Sequence, residues 1–168
     1  FIPLSDQLDQ IRSVKSREEI VKIAFSAELA SSAFEEMLPY VKPGVSEKEL
    51  AFKLEMLIRE MGADGKAFDF IVASGERGAL PHGRPTDRLL NPGEMVTVDF
   101  GVLCNGYHSD ETVTLSVGES ESRLLEAYGV VKKAHDLAVS AVRPGIDCRS
   151  LDAVARDYIE SCGFGEFF

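Results

Sequence analysis

MVTVDFGVLCNGYHSDETVTL, residues 95–115, reads as two short strands joined by a turn, with one aspartate on each strand. Val96, Val98 and Phe100 alternate with Met95, Thr97, Asp99 and Gly101, the period-2 pattern of a strand with one buried face. Beyond the turn, Tyr107, Val113, Leu115 and Val117 share one parity, and His108, Asp110, Thr112, Thr114 and Ser116 share the other. Cys104-Asn105-Gly106 supplies the turn chemistry. A loop centred on Cys104-Asn105 puts Asp99 directly opposite Asp110, and one centred on Asn105-Gly106 makes them diagonal neighbours. Either loop sets both carboxylates on one face, with Cβ atoms roughly 5–8 Å apart. Like charges so placed weaken a sheet unless water solvates them, they share a proton, or a cation sits between them. Carboxylate oxygens suit Mg, Ca and Mn, and also bind Zn. A solvated polar face is the alternative, since Thr97, His108, Thr112, Thr114 and Ser116 lie on it too.

Working outward, Ser16 with Glu19 and Ser46 with Glu49 form two capping boxes. The first opens a helix that runs to about Val41, where KPGVS (42–46) breaks it. The second opens a helix with Leu50, Leu54, Leu57, Ile58 and Met61 on one side, ending at Gly62. AFDFIVASG (67–75) is strand-like, and ERGALPHGRPTDRLLNPGE (76–94) is a turn-rich loop. Downstream of the hairpin, residues 120–142 and 148–162 read as two further helices.

VKPGVSEKELAFKLEMLIREMG (41–62) and VRPGIDCRSLDAVARDYIESCG (142–163) match at a constant offset of 101. Val41 and Val142, Pro43 and Pro144, Gly44 and Gly145, Leu50 and Leu151, Ile58 and Ile159, and Gly62 and Gly163 all keep it. This register points to an internal duplication. The expected fold class is therefore α/β (α+β), built of helix–helix–strand units with an antiparallel sheet, the first unit about 16–118 and the second about 119–168. The second copy reaches GFGEFF (163–168) where its strands should begin, so Phe164, Phe167 and Phe168 read as the start of a strand. On the order of 50 or more residues are expected to follow. A first residue Phe1 in place of Met is read as processing or as part of a longer chain.

The 168 residues are one domain's worth of sequence, 45% hydrophobic and 27% charged, as in ordinary globular proteins. A net charge of −10 and a pI near 4.8 argue against a nucleic-acid partner. The apolar runs are too short for a bilayer and no signal-peptide pattern is present, so no membrane partner is expected. Cys104, Cys148 and Cys162 show no CxxC spacing, which suits a reducing, cytoplasmic compartment with thiols packed as small hydrophobes.

FDFIVASGERGALPHGRPTDR (68–88), VTVDFGVLCNGYHSDETVT (96–114) and VRPG (142–145) together resemble the Xaa-Pro peptidases, prolidase and aminopeptidase P, of the pita-bread metallopeptidases. Methionine aminopeptidases and creatinase share that fold. IVASG and LPHGRP look closer to the proline-specific branch than to methionine aminopeptidase. The resemblance implies a duplicated α/β unit with pseudo-twofold symmetry and two divalent cations (Mn, Co or Zn). Asp99 matches the aspartate that binds one metal in a bidentate way, and Asp110 the aspartate that bridges both. A histidine and two glutamates would complete the set from beyond Phe168. His82 in LPHG matches a loop histidine that contacts substrate and stabilises the tetrahedral intermediate; on pattern alone it reads as an exposed loop side chain. The implied substrate is a small peptide with proline at the second position, and the implied assembly is a homodimer. A separate N-terminal domain is also implied, with FIPLSDQLDQIRSVKS (1–16) as its connector.

Two departures bear on substrate preference. Val113 follows Thr112 where the family often has arginine, and Phe70 replaces a small or polar residue. Competing readings are a metal-free interaction module on the same fold, a creatinase-like hydrolase and a methionine aminopeptidase. With two of roughly five ligands, these residues alone are expected to form an inactive fragment. Its unpaired strand edges are expected to recruit a neighbouring copy.

Overall fold

The computed structural model describes residues 5–168 and divides into two compact units, one ending at Glu119 and the other Ser120–Phe168. The first contains α1 (Ser5–Ser13), α2 (Arg17–Met37), a 3-10 turn Leu38–Tyr40 and α3 (Glu47–Glu60). Then come β1 (Gly65–Lys66), β2 (Ile71–Ser74), a 3-10 turn Gly75–Ala79, β3 (Met95–Phe100), β4 (Val102–Cys104), β5 (Tyr107–His108) and β6 (Glu111–Ser116). The strands make two antiparallel sheets, β1-β4-β5 and β2-β3-β6.

Both capping boxes form. The Ser16 hydroxyl accepts from the Glu19 N–H at 3.2 Å and the Glu19 carboxylate accepts from the Ser16 N–H at 2.7 Å, and Ser46 and Glu49 repeat both distances. Each box satisfies helix N–H groups that have no carbonyl partner of their own. α2 and α3 then bury Leu29, Ala30, Ala33, Phe34 and Met37, and Leu50, Leu54, Leu57 and Ile58, against Val96, Val98 and Phe100 of β3. Phe34 stacks on Phe100 at 5.1 Å and Phe70 meets it edge-on at 6.5 Å, so Phe70 is a core aromatic. Each large side chain buried this way contributes about 1.5–3 kcal/mol.

The hairpin takes the second of its two expected registers. Leu103 pairs with His108, Cys104 with Tyr107 and Asp99 with Thr112, so partner numbers sum to 211 throughout. Asn105 (φ 53) and Gly106 (φ 78) both have positive φ, as a type I′ turn requires. The ladder is broken once, at Gly101. A Cβ there would lie 2.1 Å from the Ser109 carbonyl oxygen and 2.8 Å from the Phe68 ring, so only glycine allows the two chains to approach. Ser109 seals the bend. Its hydroxyl accepts from the Val102 N–H at 3.0 Å, and its N–H donates to the Val102 carbonyl at 2.9 Å. That carbonyl also accepts from the buried Ser26 hydroxyl of α2 at 2.7 Å.

The second unit contains α4 (Ser122–Ala141), α5 (Cys148–Ser161) and a 3-10 turn Gly165–Phe167. The offset of 101 reappears in three dimensions. It relates the bounds of α3 and α5, the positive φ of Gly44 (87) and Gly145 (84), and that of Gly62 (93) and Gly163 (81). Asp147 caps α5 by accepting from the Ser150 N–H at 2.9 Å, in the place Ser46 holds on α3.

The stretch expected as a connector, residues 1–16, contains the helix α1, and residues 1–4 lie outside the described set. Three expectations are corrected. Only Ile71–Ser74 of 67–75 is a strand of the sheet; Phe70 lies just before it and is buried in the core. Phe164, Phe167 and Phe168 do not start a strand: Gly165–Phe167 is a 3-10 turn. The corresponding β1 is extended because β4 pairs with it, and no described strand of the second unit offers that pairing. Among the thiols, Cys104 is buried, Cys162 half-buried and Cys148 exposed, so Cys148 does not pack as expected. No helix among the described residues is long and apolar enough to cross a membrane.

Candidate active site

Asp99 sits in the middle strand of its sheet, opposite Ile71 on one side and Thr112 on the other. The Thr112 hydroxyl donates to its Oδ1 at 2.8 Å, which fixes the carboxylate's orientation. Asp110 follows Ser109 in the gap between β5 and β6, where the bend at Gly101 leaves it outside both ladders and exposed. His82 lies in a turn of the loop between β2 and β3 and is also exposed. These three side chains line one cleft of about 380 Å³ together with Phe68, Asp69, Ile71 and Arg84. His108 is elsewhere. It lines a different cleft of about 710 Å³, with Arg12, Lys15, Glu19 and Tyr107.

The loop that carries His82 is tied down by a buried carboxylate. Glu47, the first residue of α3, is 0% exposed. Its Oε1 accepts from the N–H and the hydroxyl of Ser74, both at 2.8 Å, and its Oε2 from the N–H (3.0 Å) and hydroxyl (2.7 Å) of Thr86. Arg77 Nε reaches both oxygens at 3.3 Å, and Arg77 Nη2 donates to the Arg84 carbonyl at 2.7 Å. Burial alone would push the Glu47 carboxyl up, and the hydrogen bonds from Thr86 and Ser74 outweigh it, so its pKa lies below the ordinary value. Further along, Arg88 grips Glu94 with both ends of its guanidinium and donates to the Ser74 hydroxyl at 2.7 Å. The Arg88 hydrogen bonds hold the Glu94 carboxyl at about 2. A Cβ at Gly83 would lie 3.0 Å from that of Ala73, so the residue after His82 is packed against β2.

Sequence reasoning missed Thr112, Arg84 and Glu47. Thr112 was legible once the register was known. Glu47 was not, because an acid in the first turn of a helix is expected to sit in water beside the helix dipole.

The sequence matches metallopeptidase family M24 over residues 22–168. The chain belongs to metallopeptidase family M24. The uncharacterized peptidase YqhT of Bacillus subtilis is 42% identical over all of this chain and 48% of its own length. The Xaa-Pro dipeptidase of Pyrococcus furiosus is 38% identical over the same shares. Among solved structures, an Xaa-Pro dipeptidase from Bacillus anthracis superposes with a TM-score of 0.96 at 42% identity, over 99% of this chain and 47% of that one. A prolidase from Pyrococcus furiosus gives 0.97 at 38% identity, over 100% and 50%. The chain thus spans about half the length of the curated relatives it matches. Its architecture is the pita-bread fold of those prolidases.

The donors in the cleft of this M24 chain suit divalent cations in kind, since Asp99 and Asp110 offer hard oxygen ligands. They fall short in number. Among the described residues, no group of three or more His, Cys, Asp or Glu side chains could hold an ion. What these residues offer an ion is a pair of carboxylates and not a closed coordination shell.

Proposed function

We propose that the protein carrying this chain hydrolyses the peptide bond between an N-terminal residue and a following proline, with divalent cations held in part by Asp99 and Asp110. The observation that carries the reading is the meeting of His82, Asp99 and Asp110 on one cleft of an M24 chain. That relatives are named Xaa-Pro dipeptidase supports the substrate class. Metal ions bound here supply Lewis acidity and an activated water at neutral pH.

The chain's own residues do the rest. Thr112 holds the Asp99 carboxylate in one orientation. His82 donates a hydrogen bond to the oxygen that gains charge as the scissile carbonyl becomes tetrahedral. The Glu47–Arg77–Thr86 network keeps the backbone on either side of that histidine in place, so the donor is positioned before substrate arrives. Proline's tertiary amide offers no N–H, so recognition must come from ring shape, and Phe68 and Ile71 give the cleft apolar surface for it. The remaining ligands, a histidine and two glutamates, come from outside this chain, and the 168 residues alone are inactive. The ions are Mn, Co or Zn, the working assembly is a homodimer, and the compartment is the reducing cytoplasm.

The test is turnover of Xaa-Pro and Xaa-Ala peptides by the protein made from its native gene, loaded with manganese and then treated with a chelator. Xaa-Pro cleavage should vanish on chelation, and Asp99→Asn or Asp110→Asn should remove nearly all of it. His82→Ala should lower kcat by about 10²–10³. Cleavage that survives both the chelator and the aspartate variants would sink the proposal. Turnover of a guanidino compound in place of peptides would move the assignment to the creatinase branch.

A further inference from the structure

The loop between β2 and β3 carries three arginines, and the fold occupies two of them. Arg77 sits on buried Glu47, and Arg88 on Glu94. The Arg84 guanidinium has no hydrogen bond or ion pair among the described residues; only its backbone carbonyl is engaged, by Arg77. That backbone is nonetheless fixed. Besides the Arg77 bond, the Gly83 N–H donates to the Leu80 carbonyl at 3.1 Å, and the Thr86 N–H donates to Glu47 at 3.0 Å.

Arg84 lines the cleft of His82, Asp99 and Asp110, and it also lines an adjoining groove of about 320 Å³ walled by Phe52, Phe70 and Pro85. Asp69 is the other residue common to both. The groove's two lysines are already answered, Lys66 by Glu55 (3.3 Å) and Asp69 (3.5 Å), and Lys48 by Asp87 (2.8 Å). Arg84 is thus the unpaired cation at the junction among the described residues.

We infer that Arg84 is a specificity-determining residue that binds a substrate carboxylate on the proline side of the scissile bond. The inference rests on the Xaa-Pro peptidase reading and narrows its substrate class. An N-terminal residue brings its own ammonium, so the anion offered to a cation here lies beyond the proline nitrogen. A planar guanidinium takes a carboxylate through two parallel hydrogen bonds, which an ammonium cannot copy. It also offsets the repulsion that Asp69 and a chain of net charge −10 exert on an anionic substrate. The carboxylate comes either from the C-terminus of an Xaa-Pro dipeptide or from an acidic side chain on the third residue, placed in the groove.

The experiment compares four substrates on the manganese-loaded protein from its native gene: Xaa-Pro, Xaa-Pro amide, Xaa-Pro-Glu amide and Xaa-Pro-Gln amide. Wild type should prefer the carboxylate-bearing member of at least one matched pair, and which pair it is identifies the source. Arg84→Ala should raise KM for that member about tenfold, leave kcat within about twofold, and leave the neutral member unchanged. Arg84→Lys should recover part of the preference, and Arg84→Glu should reverse it. Equal ratios in wild type and Arg84→Ala overturn this inference while leaving the peptidase reading intact. Absence of Xaa-Pro turnover in wild type overturns both.

Discussion

The helix pairs α2–α3 and α4–α5 differ sharply in what they bury, although α3 and α5 share a sequence pattern, a length and a glycine geometry. α2 buries Ser26, Leu29, Ala30, Ala33, Phe34 and Met37, and α3 buries Glu47, Leu50, Leu54, Leu57 and Ile58. α4 buries Ala134 alone, and α5 Ile159 alone. Those two residues stand 101 positions after Ala33 and Ile58, which are both 0% exposed. The contact between the two helices of a pair is therefore common to both copies. The remaining burial in the first copy comes from the sheet β2-β3-β6 and its hairpin, for which the second unit has no described equivalent. Local periodicity and a cap are enough to make these helices, but a helix gains most of its stability from the surface laid against it.

The largest expected effect lies at the position that has no counterpart. Gly101→Val forces side-chain atoms onto a backbone carbonyl, and should cost the first unit more than about 4 kcal/mol, seen as loss of its cooperative unfolding transition. Next comes the matched pair at offset 101. Leu50→Ala, at a site 0% exposed, should cost about 2–5 kcal/mol in chemical denaturation, and Leu151→Ala, at a half-buried one, about 1 kcal/mol or less. Equal costs would break the comparison, because they would mean that α5 buries this face as well as α3 does.

Acid sharpens it. With the folded-state Glu94 carboxyl near 2 against an ordinary 4.5, the Arg88–Glu94 pair contributes its stability in full above pH 4.5 and loses it as pH falls through 2. That loss should amount to about 1–3 kcal/mol in a pH series and disappear in Glu94→Gln. The exposed pairs Lys132–Asp136 of α4 and Arg156–Asp152 of α5 should add no measurable step over the same range. The smallest effect should be the same on both sides. Ser46→Ala and Asp147→Ala each remove one helix cap, and each should cost about 1 kcal/mol, measured as helix-terminal hydrogen exchange.

What was legible in the sequence follows from how local each feature is. Caps, helix bounds and the strand parities of 95–117 depend on neighbours a few residues away, and the structure reproduces them. The duplication was legible because it is a register and needs no structure. Two hairpin registers stayed open until positive φ at both Asn105 and Gly106 chose between them, although Asn-Gly is itself the strongest type I′ signal. α1 and the bend at Gly101 were not read, the latter because it depends on Ser109 and Phe68 approaching from different segments. At the candidate site, Asp99 and Asp110 stood out by strand parity and His82 only by the family resemblance, and a shared face could be expected only for the two aspartates. Glu47 was invisible because its partners lie 27 to 39 residues away in sequence.

The wiring of Glu47 has a consequence for how the molecule meets proteases. Long, turn-rich surface loops are ordinarily the first places a chain is nicked, since a protease must draw out several residues of free backbone. Residues 75–94 have the length and three arginines, but their main chain is held at Leu80, Gly83, Arg84, Thr86 and Arg88 by hydrogen bonds to α3, to Arg77 or within the loop. Trypsin should therefore spare this loop while Glu47 holds it. Replacing Glu47 should turn Arg77 and Arg88 into the earliest cleavage points of the chain, while Arg84, which precedes Pro85, stays uncut.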